Sequence, residues 1–166
     1  MPNGSSAFCL ATNVVVYAYD PADAEKRRRA LAVLTRLGAQ QRGALSAQVL
    51  SEFVVTVTRK ITPPPLTLEE AEQRVTNSMR AWRVYALTAR IVVEAVRGVR
   101  QHQLAYWDSL IWATAKLSGV PTVLSEDFTD GRLIAGVRFL NPFAATFDLT
   151  QLGPPPPPQR GPSRTR

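Results

Sequence analysis

The sequence predicts an α/β fold with a central, mostly parallel sheet flanked by helices. Three observations predict it. Short apolar runs such as Ala7–Leu10, Gly43–Ser46 and Thr122–Leu124 alternate with longer stretches whose apolar residues recur at helical spacing. The run at Thr122–Leu124 is apolar throughout, as a strand covered on both faces is. Acids follow that run at once, at Glu126 and Asp127, where ligands of open α/β sheets bind.

The elements read as follows. Ala7–Leu10 is the first strand; Thr12 or Asn13 then caps a short helix, or Val14-Val15-Val16 extends the strand. Asp20–Asp23 turns into a helix to about Leu37 that carries Arg27, Arg28 and Arg29, either as a solvated face or as a patch tracking phosphates. Gly43–Ser46 is a second strand. Val49, Leu50, Phe53, Val54 and Val57 mark a helix from Ala47 to about Lys60, with Glu52 inside its apolar stretch. A buried carboxylate there needs a partner, an arginine or a metal. Ile61–Pro65 breaks the chain, and Thr67 with Glu70 forms a capping box for a helix to about Trp82. Val84-Tyr85 is a short strand, and Thr88 caps a helix to about Arg100.

Asp108 opens the next helix, as an N-cap or as a ligand; Gly119 and Pro121 end that helix before Thr122–Leu124. In a strand–helix–strand unit Asp108 faces the same rim as Asp127, and two acids on one rim suggest a carboxylate metal site. The bland alternative is a helix cap and a solvated turn. Val137–Leu140 is the last strand. His102 is the only histidine and reads as a surface or loop residue. Trp82, Trp107 and Trp112 read as packing anchors rather than base-stacking platforms.

The 166 residues fit one domain, residues 1–148, followed by a Pro-rich basic tail, 149–166, expected to be disordered. A net charge of +7 suggests a polyanionic partner, although Arg160, Arg164 and Arg166 contribute from the tail. The single cysteine, Cys9, excludes an internal disulfide framework and fits a reducing cytosol. No charged leader precedes the apolar start, and no apolar run reaches the ~18 residues of a membrane span. A cytoplasmic protein without a membrane segment is expected. There is no repeat, Gly-rich phosphate loop or Cys/His metal spacing.

Four stretches together resemble the motifs of PIN-domain proteins: Phe8–Ala18, Ala47–Phe53, Tyr106–Ile111, and Leu124–Phe128 with Gly131. The resemblance covers roughly residues 7–142, and the nearest group is the VapC toxins of bacterial toxin–antitoxin pairs. It implies a PIN-like three-layer fold, a Mg²⁺- or Mn²⁺-dependent endoribonuclease, a homodimer, and a VapB-like antitoxin that blocks the site. It implies metal-site roles for Asp108, Asp127 and Glu52, which would also be catalytic, with Thr12, Asn13 and Ser125 orienting waters or carboxylates behind them. Arg27, Arg28 and Arg29 would help hold RNA, with an affinity that falls with salt.

One position departs from the motif. PIN proteins carry an aspartate, normally a metal ligand, where this chain has Ala11. Ala11 is thus a metal-site position without an oxygen, and the resemblance implies an impaired enzyme. Either the change is engineered, which the otherwise intact acids favour, or the chain is a naturally degenerate paralogue. Two other readings compete with a nuclease toxin. One is a non-catalytic PIN-type RNA- or protein-binding module; the other is a different metal-dependent phosphate enzyme on a similar sheet.

Overall fold

A computed structural model describes residues 7–59 and 64–154. The centre of the sheet is β1 (Phe8–Leu10), buried along its whole length. It runs parallel to β2 (Gly43–Ser46) on one side and β4 (Thr122–Leu124) on the other. Beyond β2 lies β3 (Arg83–Tyr85), and beyond β4 lies β6 (Val137–Leu140), both parallel to their neighbours. The far edge is β5 (Leu133–Ile134), antiparallel to β6, so the order is β3-β2-β1-β4-β6-β5. Leu10 pairs with Leu124, which brings the carboxyl ends of β1 and β4 level.

Helices connect the strands: α1 (Thr12–Tyr17), α2 (Ala24–Gln40), α3 (Ala47–Arg59), α4 (Leu68–Ala81), α5 (Ala89–His102) and α6 (Tyr106–Leu117). The expected mostly parallel sheet flanked by helices is what the chain forms. Asp23 caps α2, Thr67 and Glu70 make the capping box of α4, and Thr88 caps α5. α1 packs between α2 and α3, and α5 lies along α6. Gly98 permits that last approach: a Cβ there would stand 2.2 Å from Ser109 Oγ and 2.7 Å from the Trp112 ring. Cys9 is fully buried, and burial pushes its thiol up to about 12.

Several expectations change. The cap of α1 is Ala11, with neither Thr12 nor Asn13 in that position, and it makes no side-chain bond to the helix. Ala105 caps α6, so Asp108 sits within the first turn and not at its opening. The strand β5 was not anticipated. It joins β6 through Ala135 and Gly136, both at positive φ (47° and 86°), a two-residue turn whose usual signal is Asn-Gly. His102 is the last residue of α5, and its ring meets Trp112 edge-on. Packing also continues past residue 148. A 3₁₀ turn at Leu149–Leu152 is capped by Asp148, Leu152 is fully buried, and Arg42 and Arg36 donate to the carbonyls of Leu152 and Gly153, each at 2.9 Å. The Pro-rich segment from 155, and most of the break read at Ile61–Pro65, lie outside the described residues. Among the described residues no helix is long and apolar enough to cross a membrane.

Candidate active site

The level ends of β1 and β4 bring four parts of the chain to one rim. From β1 the chain passes through Ala11, whose N–H donates to the Leu124 carbonyl at 3.0 Å, straight into α1. Thr12 and Asn13 therefore project from the first turn of α1 onto the rim. Thr12 Oγ1 donates to Glu52 Oε2 at 2.6 Å. Asn13 Nδ2 donates to Asp127 Oδ2 at 2.9 Å and to Ser125 Oγ at 3.1 Å, and Ser125 Oγ also accepts from the Asp127 N–H. Glu52 thus has hydroxyl and amide partners rather than an arginine. Its other oxygen accepts from Gln48 Nε2, one helical turn earlier on α3, at 2.7 Å.

Asp108 completes the rim from the first turn of α6. Burial is the main reason its carboxyl is pushed up to about 6, and the charges of Asp127 and then Glu52 add to the shift. The carboxylates of Glu52 on α3 and Asp127 past the end of β4 therefore bear on Asp108 of α6. Ala11 itself is buried and offers no oxygen.

Next to Asp127 lies a cluster the sequence did not flag. Lys26 Nζ donates to Glu126 at 2.8 Å and to the Tyr17 hydroxyl at 3.0 Å, while Tyr17 also donates to Glu126. The Glu126 carboxylate and then Tyr17 raise the Lys26 pKa. This network ties α1 and α2 to the loop that carries Asp127. Gln48 was missed as well, although its place four residues before Glu52 on one helix was legible.

Other expected site residues lie elsewhere. Arg28 and Arg29 on α2 both hold Glu25 at 2.8 Å, and Arg29 also donates to the Ala144 carbonyl. Their guanidiniums hold Glu25 to about 2. Arg27 is exposed. The tryptophans divide: Trp112 is fully buried and Trp82 packs over Gly43, but Trp107 is 64% exposed and anchors nothing.

Oxygen donors of this kind suit a hard divalent cation. The residues present do not make a complete site for one. Position 11 lacks a donor, and among the described residues no three His, Cys, Asp or Glu side chains come together closely enough to hold a metal.

The PIN domain family model matches residues 8–129, from the start of β1 to just beyond Asp127. The chain belongs to the PIN-domain family. Solved PIN-toxin structures share the fold. FitAcB from Neisseria gonorrhoeae is 22% identical with a TM-score of 0.59, over 82% of this chain and 98% of that one. VapBC2 from Rickettsia felis, bound to a DNA fragment from its promoter, is 18% identical with a TM-score of 0.55, over 81% and 97%. Mycobacterium tuberculosis VapC20, a Sarcin-Ricin loop cleaving toxin, is 18% identical with a TM-score of 0.51, over 70% and 86%. No curated protein sequence matches the chain.

Proposed function

We propose that this rim is the site of a VapC-like endoribonuclease toxin, left one ligand short by Ala11. The observation that carries the reading is the Asp108 carboxyl, pushed up by burial first and then by the charges of Asp127 and Glu52, on the rim where Thr12 and Asn13 hold those two carboxylates. Mg²⁺ is the cofactor we assign, with Mn²⁺ as its substitute. Asp108 and Asp127 would hold it with a carboxylate at position 11, and Glu52 would stand behind them. Thr12, Gln48 and Asn13 already orient Glu52 and Asp127 for that role. In the chain as it stands the rim binds and positions but does not cleave. RNA as substrate is supported by the fold shared with a Sarcin-Ricin loop cleaving toxin and by the +7 charge. A VapB-like antitoxin is supported by the neighbours solved as toxin–antitoxin complexes, and a homodimer belongs to the same reading.

The test is RNA cleavage by this chain and by Ala11→Asp, side by side, with Mg²⁺, Mn²⁺ or EDTA. Cleavage by the Asp form alone, abolished by EDTA, is the expected outcome. Restoring a charged ligand should also tighten Mn²⁺ binding by roughly 10- to 100-fold. If neither form cleaves a broad set of structured RNAs while Ala11→Asp binds Mn²⁺, the second reading takes over. That reading is a non-catalytic RNA- or protein-binding PIN module, and the missing donor at Ala11 is what favours it.

A further inference from the structure

The Tyr17–Lys26–Glu126 cluster beside Asp127 has no part in the chemistry proposed so far. Lys26 Nζ lies 4.5 Å from the centre of the Tyr17 ring and 5.9 Å from that of Phe143, and the two rings meet edge-on at 5.0 Å. The Lys26 side chain is 33% exposed and that of Glu126 22%, so solvent screens this pair less than a surface ion pair.

The Asp127 carboxylate is placed by bonds rather than by packing. Ser125 and Phe128 on either side of it are buried, but Asp127 itself is exposed. Its side-chain donor is Asn13, on α1. Asn13 and Tyr17 stand one helical turn apart on the same face of α1. They donate to Asp127 and Glu126, which are neighbours in the loop. One face of α1 thus holds two successive acids. With six residues and no side-chain cap, α1 is too short to be stable by itself, and its place depends on what it packs against and is tied to. Lys26 supplies a tie from α2, donating to the Tyr17 hydroxyl at 3.0 Å and to Glu126 at 2.8 Å.

We propose that Lys26 is a positioning residue for the reaction at the rim: by fixing Tyr17 and Glu126 it holds α1 against the 125–127 loop, so that Asn13 sets where the Asp127 carboxylate points. The inference rests on reading the rim as a metal-dependent ribonuclease site and deepens it. It assigns Lys26 to the acid and not to the RNA. Two of the three N–H donors of the ammonium are taken, and the Glu126 charge offsets its own, which leaves it a poor phosphate ligand.

The first test needs neither metal nor RNA. In the chain as it stands, Lys26→Met keeps the stem against the two rings and removes the donors. It should move the side-chain amide NMR signals of Asn13 toward those of an unbonded asparagine, while the backbone amides of β1 and β4 keep their protection from exchange. Tyr17→Phe, which removes only a hydroxyl, should do the same, and Lys26→Arg should restore the parent signals. Asn13 signals unmoved by both Lys26→Met and Tyr17→Phe would overturn the proposal. So would a loss of protection throughout β1 and β4 in both, which would make the cluster a general stability element. In the Ala11→Asp background, Lys26→Met should lower Mn²⁺ affinity and kcat by roughly 10-fold, the lower end for losing an outer hydrogen-bond partner of a metal site, and leave KM for RNA unchanged. A raised KM with a salt slope smaller by about one and Mn²⁺ affinity intact would make Lys26 a phosphate contact and overturn the assignment. The two readings fail separately. If Ala11→Asp neither binds Mn²⁺ nor cleaves, the rim reading falls, and the Asn13 signals still decide whether Lys26 places Asp127.

Discussion

Asp108 titrates near 6 because it is partly buried and faces Asp127 and Glu52. Its folded-state pKa is raised, so the fold favours the protonated form. That contribution is complete below the unfolded pKa near 4 and is lost as pH rises through about 6. Asp108→Asn removes the charge penalty. In EDTA it should be more stable than the parent at pH 8, by about 1 kcal/mol after allowance for solvent screening, and equal to it near pH 4. Urea unfolding at the two pH values checks this; a gap that did not change with pH would contradict it. Ala11 permits a matching experiment on the cap of α1. Ala11→Asn supplies the missing cap without a charge and should stabilise by about 1 kcal/mol. Ala11→Asp supplies cap and charge together, so in EDTA it should be the less stable of the two, with the gap closing when Mn²⁺ is added. Melting temperatures with and without the ion decide. The rim acids were legible in the sequence because carboxylates at strand ends and helix starts are informative by position. Trp107 was not, since an aromatic beside a helix start reads the same whether it points inward or out. Nor was the orientation of the Gln48 amide, which depends on Glu52 one turn along α3 and on the Trp107 carbonyl, distant in sequence.

The pair α5–α6 sets where Asp108 stands, and its packing is close. Ser109 Oγ donates to the Ala95 carbonyl at 2.7 Å, and Glu94 holds Lys116 across the pair and Arg97 along α5. The Lys116 ammonium is the main reason the Glu94 carboxyl lies below its usual range, against the opposing effect of burial. Gly98→Ala forces a methyl into Ser109 and the fully buried Trp112, neither of which has room to yield. A loss of about 2–3 kcal/mol in denaturant unfolding is expected, the upper part of the range for overpacked cores. The element boundaries show why sequence reading stops where it does. The helices α3, α4 and α5 carry their own signals, in apolar spacing and caps, and were read to within a residue or two. The run Val14-Val15-Val16 has strand-like side chains but forms α1, because all three are buried between neighbouring helices and tertiary packing overrides propensity. The hairpin β5–β6 was hidden by Ala135, a residue that seldom adopts positive φ.

Across the whole molecule, the family and the sheet were readable because four short motifs keep their order and spacing through the core. The end of the domain was not. Leu149-Thr150-Gln151-Leu152 resembles the start of a polar tail, and only its docking against α2 reveals Leu152 as core. Leu152→Ala should destabilise by about 2–4 kcal/mol, as removal of a fully buried leucine does, with equilibrium denaturation as the measure. A loss below ~0.5 kcal/mol would show that this last turn contributes nothing to the core. Position 11 sits at the opposite extreme. The fold uses its backbone, through the N–H bonded to Leu124, and buries only a methyl group there. Stability and chemistry are thus two readouts of this one position. A substitution here acts on the folded population that the cell's proteases meet as well as on the rim, so abundance and activity need separate assays.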